Sequence, residues 1–316
     1  MKHPRLDGVD PQARSRARRR ALQAIYAWQM SDTAITKVLE QFRNEQDMEI
    51  ADVEYFEDLV RGVHANLAAL DELAASIREN FGETVAMVGY CPAHRMGELD
   101  GKVLEVLGRM GCEVRPMRTE GRFEPPYPHG NKLLAAVEER ETEYSCFLDS
   151  DILFLRPNTV ENLICPNHVS LTPAASMGWA GQDIWPKLYG ICGVEMPQDR
   201  IRLMNQRGGK DRMPYFSSGL YVFPEHHRTD DGKSFAEVWM EVAGQLEANP
   251  DVPAKRPYLD QMSLPMAIRK AGLNWNILPR EQHYILGGMK RGEPLPKDSE
   301  VFAVHYRNWE IVKEYG

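Results

Sequence analysis

Through the first eighty residues, apolar positions recur at helical intervals. Ala17, Ala21, Ala24, Ile25 and Trp28 share one face of a helix; Val38, Leu39 and Phe42 mark a second, short helix that Ser31 or Asp32 can cap. Val53, Phe56, Val60, Val63, Leu67, Leu70, Ala74 and Ile77 then alternate steps of three and four, a seam that demands a helical partner. At Phe81-Gly82 the pattern changes. Residues 84–89 predict a buried strand, 98–109 an amphipathic helix and 112–117 a second strand, a βαβ unit opening a parallel sheet. A loop with Pro125, Pro126 and Pro128 leads to a helix from Gly130-Asn131-Lys132 to about Glu141. The apolar run Cys146-Phe147-Leu148-Asp149-Ser150-Asp151-Ile152-Leu153-Phe154-Leu155 follows, interrupted by two carboxylates. Tyr215 to Phe223 reads as a small-residue turn entering an apolar strand, and Val301 to Val304 as a short strand ending in His305-Tyr306-Arg307. The expectation is a small all-helical segment over residues 1–80 and an α/β domain with a mainly parallel sheet over 81–316.

Composition narrows the classes. A chain of 316 residues is long enough for two domains with a sizeable core. Its formal net charge of -8 restricts any nucleic-acid contact to a local basic patch. Five cysteines, scattered and without a CxxC pair, argue for reduced thiols in a cytoplasm and against a disulfide framework or zinc site. The polar, basic start is no secretory signal, and no apolar run approaches membrane-spanning length. A soluble cytoplasmic protein is expected.

The chemistry gathers at Asp149 and Asp151. On a strand, residues i and i+2 face one side, so both acids project together. Sharing one space they repel, unless a cation sits between them. Hard oxygen ligands at the mouth of an α/β sheet suit Mg²⁺ or Mn²⁺, which takes substrate phosphates as further ligands. An acidic turn merely closing a strand fits poorly, because apolar residues resume on both sides. His305 at a strand end is a candidate third ligand, and Gly219 permits close approach of a ligand or backbone. Lys132 and Arg307 are candidates to offset charge on a departing diphosphate. Separately, Arg14, Arg16, Arg18, Arg19 and Arg20 crowd the start of the first helix. The helix dipole does not favour cations there, so an anionic partner accounts for them better than solvation alone.

Two resemblances follow from these stretches. ARRRALQAIYAWQ, EQFRNEQDM, DVEYFEDLVRGV and NLAALDEL resemble the N-terminal half of NusB, the bacterial transcription antitermination factor. That resemblance implies an all-helical fold and contact with boxA RNA and ribosomal protein S10, with Arg16, Arg18, Arg19 and Arg20 facing RNA. The pattern stops near Asn80, where the family continues into a second helical half. GNK, FLDSD, YFSSGLYVF, LDQ and the terminal VHY resemble GT-A glycosyltransferases, nearest the retaining nucleotide-sugar hexosyltransferases of the glycogenin and bacterial galactosyltransferase type, across nearly all of residues 83–310. This second resemblance implies a Rossmann-like sheet and Mn²⁺ on Asp149, Asp151 and His305 holding a UDP-sugar diphosphate. It also implies that Ser217, Ser218 and Gly219 line the donor, with Asp260 and Gln261 at the reacting sugar and acceptor. Asn-Ala-Gly is common where Ser217-Ser218-Gly219 stands here. A haloacid-dehalogenase-type phosphatase also begins with an apolar strand and DxD, but it wants Thr or Val after the second Asp and the motif in its first strand. Here Ile152 follows and a βαβ unit precedes.

Overall fold

The structure is a computed structural model describing residues 12–14, 16–17, 20–21, 23–24, 34–45, 51–124, 126–204, 211–286 and 300–306. Its contacts group into two compact units. One is built on residues up to Glu72 with Asp100–Val103, the other on Leu73–Leu99 and the chain from Leu104 onward.

In the first unit, helical residues occur at 12–14, 16–17, 20–21 and 23–24, followed by α1 (Ile35–Glu45) and the start of α2 (Val53–Phe81). Ala17, Ala21 and Ala24 meet Val38, Leu39 and Phe42 of α1 and Phe56 and Val60 of α2 in a small core. Phe42 and Phe56 stack at 6.2 Å between centroids. Asp52 caps α2, its Oδ1 accepting from the Tyr55 N–H at 3.0 Å and so satisfying a donor of the first turn. Of the predicted seam, Phe56 and Val60 are buried here, while Val53 and Leu70 are exposed. Ile25, Trp28, Ser31 and Asp32 lie outside the described residues.

The predicted βαβ follows: β1 (Met87–Pro92), α3 (Gly101–Arg109, in the second unit from Leu104 on) and β2 (Cys112–Met117), with β1 and β2 parallel from Met87↔Cys112 to Pro92↔Met117. Next come α4 (Asn131–Val137), β3 (Tyr144–Leu148), β4 (Ile152–Phe154), β5 (His168–Pro173), α5 (Trp185–Cys192) and β6 (Phe216–Pro224). The chain continues through α6 (Phe235–Ala248), α7 (Lys255–Lys270), β7 (Asn274–Ile277), β8 (Tyr284–Ile285) and β9 (Ala303–His305). A four-stranded sheet has the order β3-β6-β5-β7, and a three-stranded sheet the order β4-β9-β8. The α/β class is as expected. The sheet is mixed rather than mainly parallel, because β6 runs antiparallel to both β3 and β5 while β5 and β7 are parallel.

The acidic run also differs from its expected form. It is not one strand: β3 ends at Leu148, and the chain turns through Ser150 and Asp151 before entering β4 of the other sheet. Asp149 and Asp151 therefore converge through a turn and not through strand alternation.

The main core lies between the four-stranded sheet and helices α6 and α7, where Tyr221 and Phe223 of β6 pack with Phe235, Trp239, Leu259 and Met262. A capping box between Ser234 and Glu237 starts α6. The last turns of α2 belong to this unit. Leu73, Ile77 and Phe81 pack with Ile152, Phe154, Leu163 and Leu220. Ser76 Oγ accepts from the Phe154 N–H at 3.2 Å, and Asn80 Nδ2 donates to the Phe154 carbonyl at 3.1 Å. This part of the seam meets a strand, not a helix. Among the described residues no helix is long and apolar enough to cross a membrane, and the five cysteines form no disulfide.

Candidate functional site

The site grows from the turn between β3 and β4. The Asp149 N–H donates to the Gly219 carbonyl at 2.8 Å, tying the turn to β6. The Tyr306 N–H donates to the Asp151 carbonyl at 3.0 Å, tying it to the end of β9. His305 pairs in register with Ile152 of β4 and Ile285 of β8, which carries its ring to the same place. Asp149, Asp151 and His305 each offer a ligand atom, all within 4.8 Å of one another. His305 Nε2 lies 3.1 Å from Asp151 Oδ1.

Gly219 makes this convergence possible. A Cβ there would sit 2.7 Å from His305 Cε1, 2.8 Å from His305 Nδ1 and 3.1 Å from Asp149 Oδ2. Any side chain would push the imidazole and the carboxylate apart. Gly130, just before α4, is similarly constrained: a Cβ would meet Phe123 and Tyr127 at 2.6 Å. That close packing sets the helix start from which Lys132 reaches inward.

Lys132 Nζ donates to Asp149 Oδ1 at 3.0 Å and lies 3.2 Å from Asp260 Oδ2. Burial alone would lower its pKa, but the charges of Asp149 and Asp260 outweigh that and raise it, so the ammonium stays charged. Its Nζ lies 5.3 Å over the Phe147 ring, which stacks on Tyr221 at 5.1 Å. Ser218 Oγ donates to Asp260 Oδ2 at 2.6 Å, and Tyr127 OH reaches Asp260 Oδ1 at 3.5 Å. Burial raises the pKa of Tyr127, with the Asp260 charge adding to it. Ser217 uses its hydroxyl locally, accepting from the Gly219 N–H at 3.3 Å.

Beside Asp260 on α7, Gln261 Oε1 accepts from Tyr215 OH at 2.8 Å, and Tyr215 OH accepts from Trp179 Nε1 at 3.0 Å. The indole can only donate and the phenol donates onward, so the Gln261 oxygen is taken and its NH₂ is the end left for a ligand. Burial also raises the pKa of Tyr215, keeping it a donor. Pro265 sits inside α7, four residues on from Gln261, and has no N–H to return to the Gln261 backbone carbonyl.

The residues expected from sequence thus assemble around Asp149, Asp151, His305, Lys132, Ser218, Gly219, Asp260 and Gln261. Arg307 lies outside the described residues, as do Arg18 and Arg19. Arg16 donates to Gln12 Oε1 at 3.4 Å, and Arg20 is helical. Sequence reasoning missed Tyr127, Tyr215, His283 and Thr172 as supports. Tyr215 stood two residues before the small-residue turn, a readable signal; His283 and Thr172 carried none. Three carboxylates and one ammonium leave the cluster net negative. With two oxygen donors, one imidazole nitrogen and a glycine-sized cradle, the residues fit a divalent cation such as Mn²⁺ or Mg²⁺.

Comparison with known proteins bears on both units. A family model described as a Rhodobacterales glycosyltransferase domain matches residues 66–272, and a NusB family model matches residues 15–82. The chain is 59% identical over 70 residues to the transcription antitermination protein NusB of Xanthomonas axonopodis pv. citri (strain 306), covering 22% of this chain and 44% of that protein. It thus spans less than half the length of the curated relatives it matches. Similar solved structures include the apo form of the bifunctional glycosyltransferase WbbM, at 15% identity and TM-score 0.49, covering 77% of this chain and 44% of that one. Another is the galactosyltransferase LgtC in complex with donor and acceptor sugar analogues, at 14% identity and TM-score 0.43, covering 77% of this chain and 84% of that one.

Proposed function

The chain belongs to the Rhodobacterales glycosyltransferase domain family, matched over residues 66–272, and from that premise we propose that it moves a hexosyl group from a UDP-sugar to an acceptor hydroxyl, with retention at the anomeric carbon. The observation that carries the reading is the convergence of Asp149, Asp151 and His305 within 4.8 Å. His305 lies beyond the matched residues, so its part rests on geometry. Mn²⁺ or Mg²⁺ held by these three would act as a Lewis acid, offsetting charge on the departing diphosphate.

The chain's own groups supply the rest. Lys132 keeps a positive charge beside Asp149 and orients that carboxylate toward its partners. Asp260, held by Ser218, Lys132 and Tyr127, is assigned to the reacting sugar as a hydrogen-bond acceptor. Gln261 presents N–H donors to a sugar oxygen because Tyr215 occupies its carbonyl. Ser217, Ser218 and Gly219 form the small-residue wall that admits the donor, and Arg307 is assigned to the diphosphate. The reduced thiols suit the cytoplasm.

The test is calorimetric titration of UDP, with and without Mn²⁺, into wild type and Asp151→Asn. Asparagine keeps the shape and loses the charge, so the variant should fold, while Mn²⁺-dependent UDP binding falls below detection. Loss of several kcal/mol of leaving-group stabilisation would slow transfer by roughly 10²–10³-fold or more. Metal-independent binding of equal strength to both proteins overturns the reading.

A second reading concerns the first unit. The 59% identity to a transcription antitermination protein over 70 residues favours RNA binding through Arg16, Arg18, Arg19 and Arg20, on a boxA-type RNA with ribosomal protein S10 as partner. It occupies other residues than the glycosyltransferase site, and both activities can reside in one chain.

A further inference from the structure

Behind His305 lies a buried chain of groups that the proposed transfer does not use. His305 Nδ1 is 3.0 Å from His283 Nε2, and His283 Nδ1 is 2.8 Å from Thr172 Oγ1. The two imidazoles are 5.1 Å apart between centroids and within 16° of parallel, so they meet edge to edge through their nitrogens. His283 and Thr172 are fully buried and His305 is 6% exposed. At the front, His305 Nε2 faces Asp151 Oδ1 at 3.1 Å.

We infer that His283 and Thr172 form a tautomer relay, letting His305 serve as hydrogen-bond donor to Asp151 without a cation and as cation ligand with one. This rests on the cation site proposed above. Two neutral rings share one N···N contact, so one nitrogen of the pair carries hydrogen and the other a lone pair. In the first arrangement His305 Nε2–H donates to Asp151, and His305 Nδ1 accepts from His283 Nε2–H. His283 Nδ1 then accepts from the Thr172 hydroxyl. In the second, His305 Nε2 is bare and faces the ion. Its Nδ1–H donates to His283 Nε2, and His283 Nδ1–H donates to Thr172 Oγ1, whose hydroxyl rotates.

Each arrangement holds three protons, one on each imidazole and one on the hydroxyl. In passing from the first to the second, the Thr172 hydrogen moves to His283 Nδ1, the His283 Nε2 hydrogen to His305 Nδ1 and the His305 Nε2 hydrogen out past Asp151 to water. One exchanged from water restores the Thr172 hydroxyl, so no net charge is gained or lost. Every ring nitrogen has a partner in both. A carboxylate at position 283 could only accept, and would bury a charge. A fixed donor there would oppose the loaded form. Leaving one buried nitrogen unmatched is unfavourable, and losing such a support typically weakens metal binding ~10–100-fold. Imidazole followed by hydroxyl is the combination that reverses without either group moving away.

The experiment uses the full chain labelled with ¹⁵N and two-bond ¹H–¹⁵N spectra, which report the protonated nitrogen of each imidazole. The probe is MgCl₂ with UDP, which is diamagnetic. Without the cation, His305 and His283 should both carry hydrogen on Nε2; with it, both should carry hydrogen on Nδ1. In parallel, His283→Phe, checked for folding by its melting curve, should bind Mn²⁺ ~10–100-fold more weakly than wild type by calorimetry. If wild type takes up the cation while His283 keeps one tautomer throughout, the relay alone is wrong. If wild type takes up neither Mg²⁺ nor Mn²⁺, the cation site fails and the relay fails with it.

Discussion

Lys132 is the residue on which the charge balance of the site turns. Its ammonium stands between Asp149 and Asp260, with a side chain only 12% exposed. Removing it in Lys132→Met leaves two partly or wholly buried carboxylates facing each other, at a cost of about 3–5 kcal/mol. Thermal denaturation at pH 7 should show that loss. The pH dependence follows from the direction of the shift. A lysine pKa raised above its ordinary 10.5 contributes stability that is full below that value and fades as pH climbs through the higher folded value. Wild type should therefore lose melting temperature above about pH 10.5, and the variant should lack that component. A wild-type curve parallel to the variant's would remove Lys132 from the ledger of buried ion pairs. At this scale sequence was informative where a residue type was rare for its setting: aspartates inside an apolar run, a glycine beside them, a histidine ending a strand. It was silent on Thr172 and His283, since a threonine in a strand and a histidine near a proline loop are unremarkable until pairing brings them within 2.8 Å.

At the level of elements, α2 decides where the second unit begins. The composition shift at Phe81-Gly82 coincides with the end of that helix, yet Leu73, Ile77 and Phe81 fill the core around β4. Ser76 and Asn80 hydrogen-bond both backbone groups of Phe154. A chain beginning at residue 82 would open that apolar surface and strip two bonds from β4. It should be insoluble or molten, whereas one beginning at residue 66 should melt cooperatively. Equal cooperativity of the two in calorimetry would show the helix end to be dispensable. The βαβ unit was legible because its periods and lengths are unambiguous. Strand direction was not. A strand buried on both faces, as β6 is, reads as a continuous apolar run whichever way its neighbours point. The break between β3 and β4 was hidden for a related reason. Asp-Ser-Asp has the same spacing whether a strand continues or the chain turns into another sheet.

For the whole molecule, two family matches overlap on residues 66–82, all but the last of them within a single helix. At a net charge of -8, RNA binding requires a confined basic face, which makes the arginine cluster decisive for the proposed RNA reading. Replacing Arg18, Arg19 and Arg20 with alanine should weaken binding of a boxA-type RNA and flatten its salt dependence, read by filter or fluorescence titration. Equal affinity of wild type and triple variant would leave the cluster a solvated helix face. The turn between β3 and β4 has one more implication. Asp149 leaves the four-stranded sheet, while His305 ends a strand of the three-stranded one. The proposed ion, shared between them, would add a second tie between two sheets already joined there by the Thr172–His283–His305 hydrogen bonds. At a hundred times its dissociation constant such an ion adds about 2.7 kcal/mol to the folded state. Chelation of the proposed cation should then lower the melting temperature as well as stop transfer, so the site would be a brace of the fold as much as a reagent.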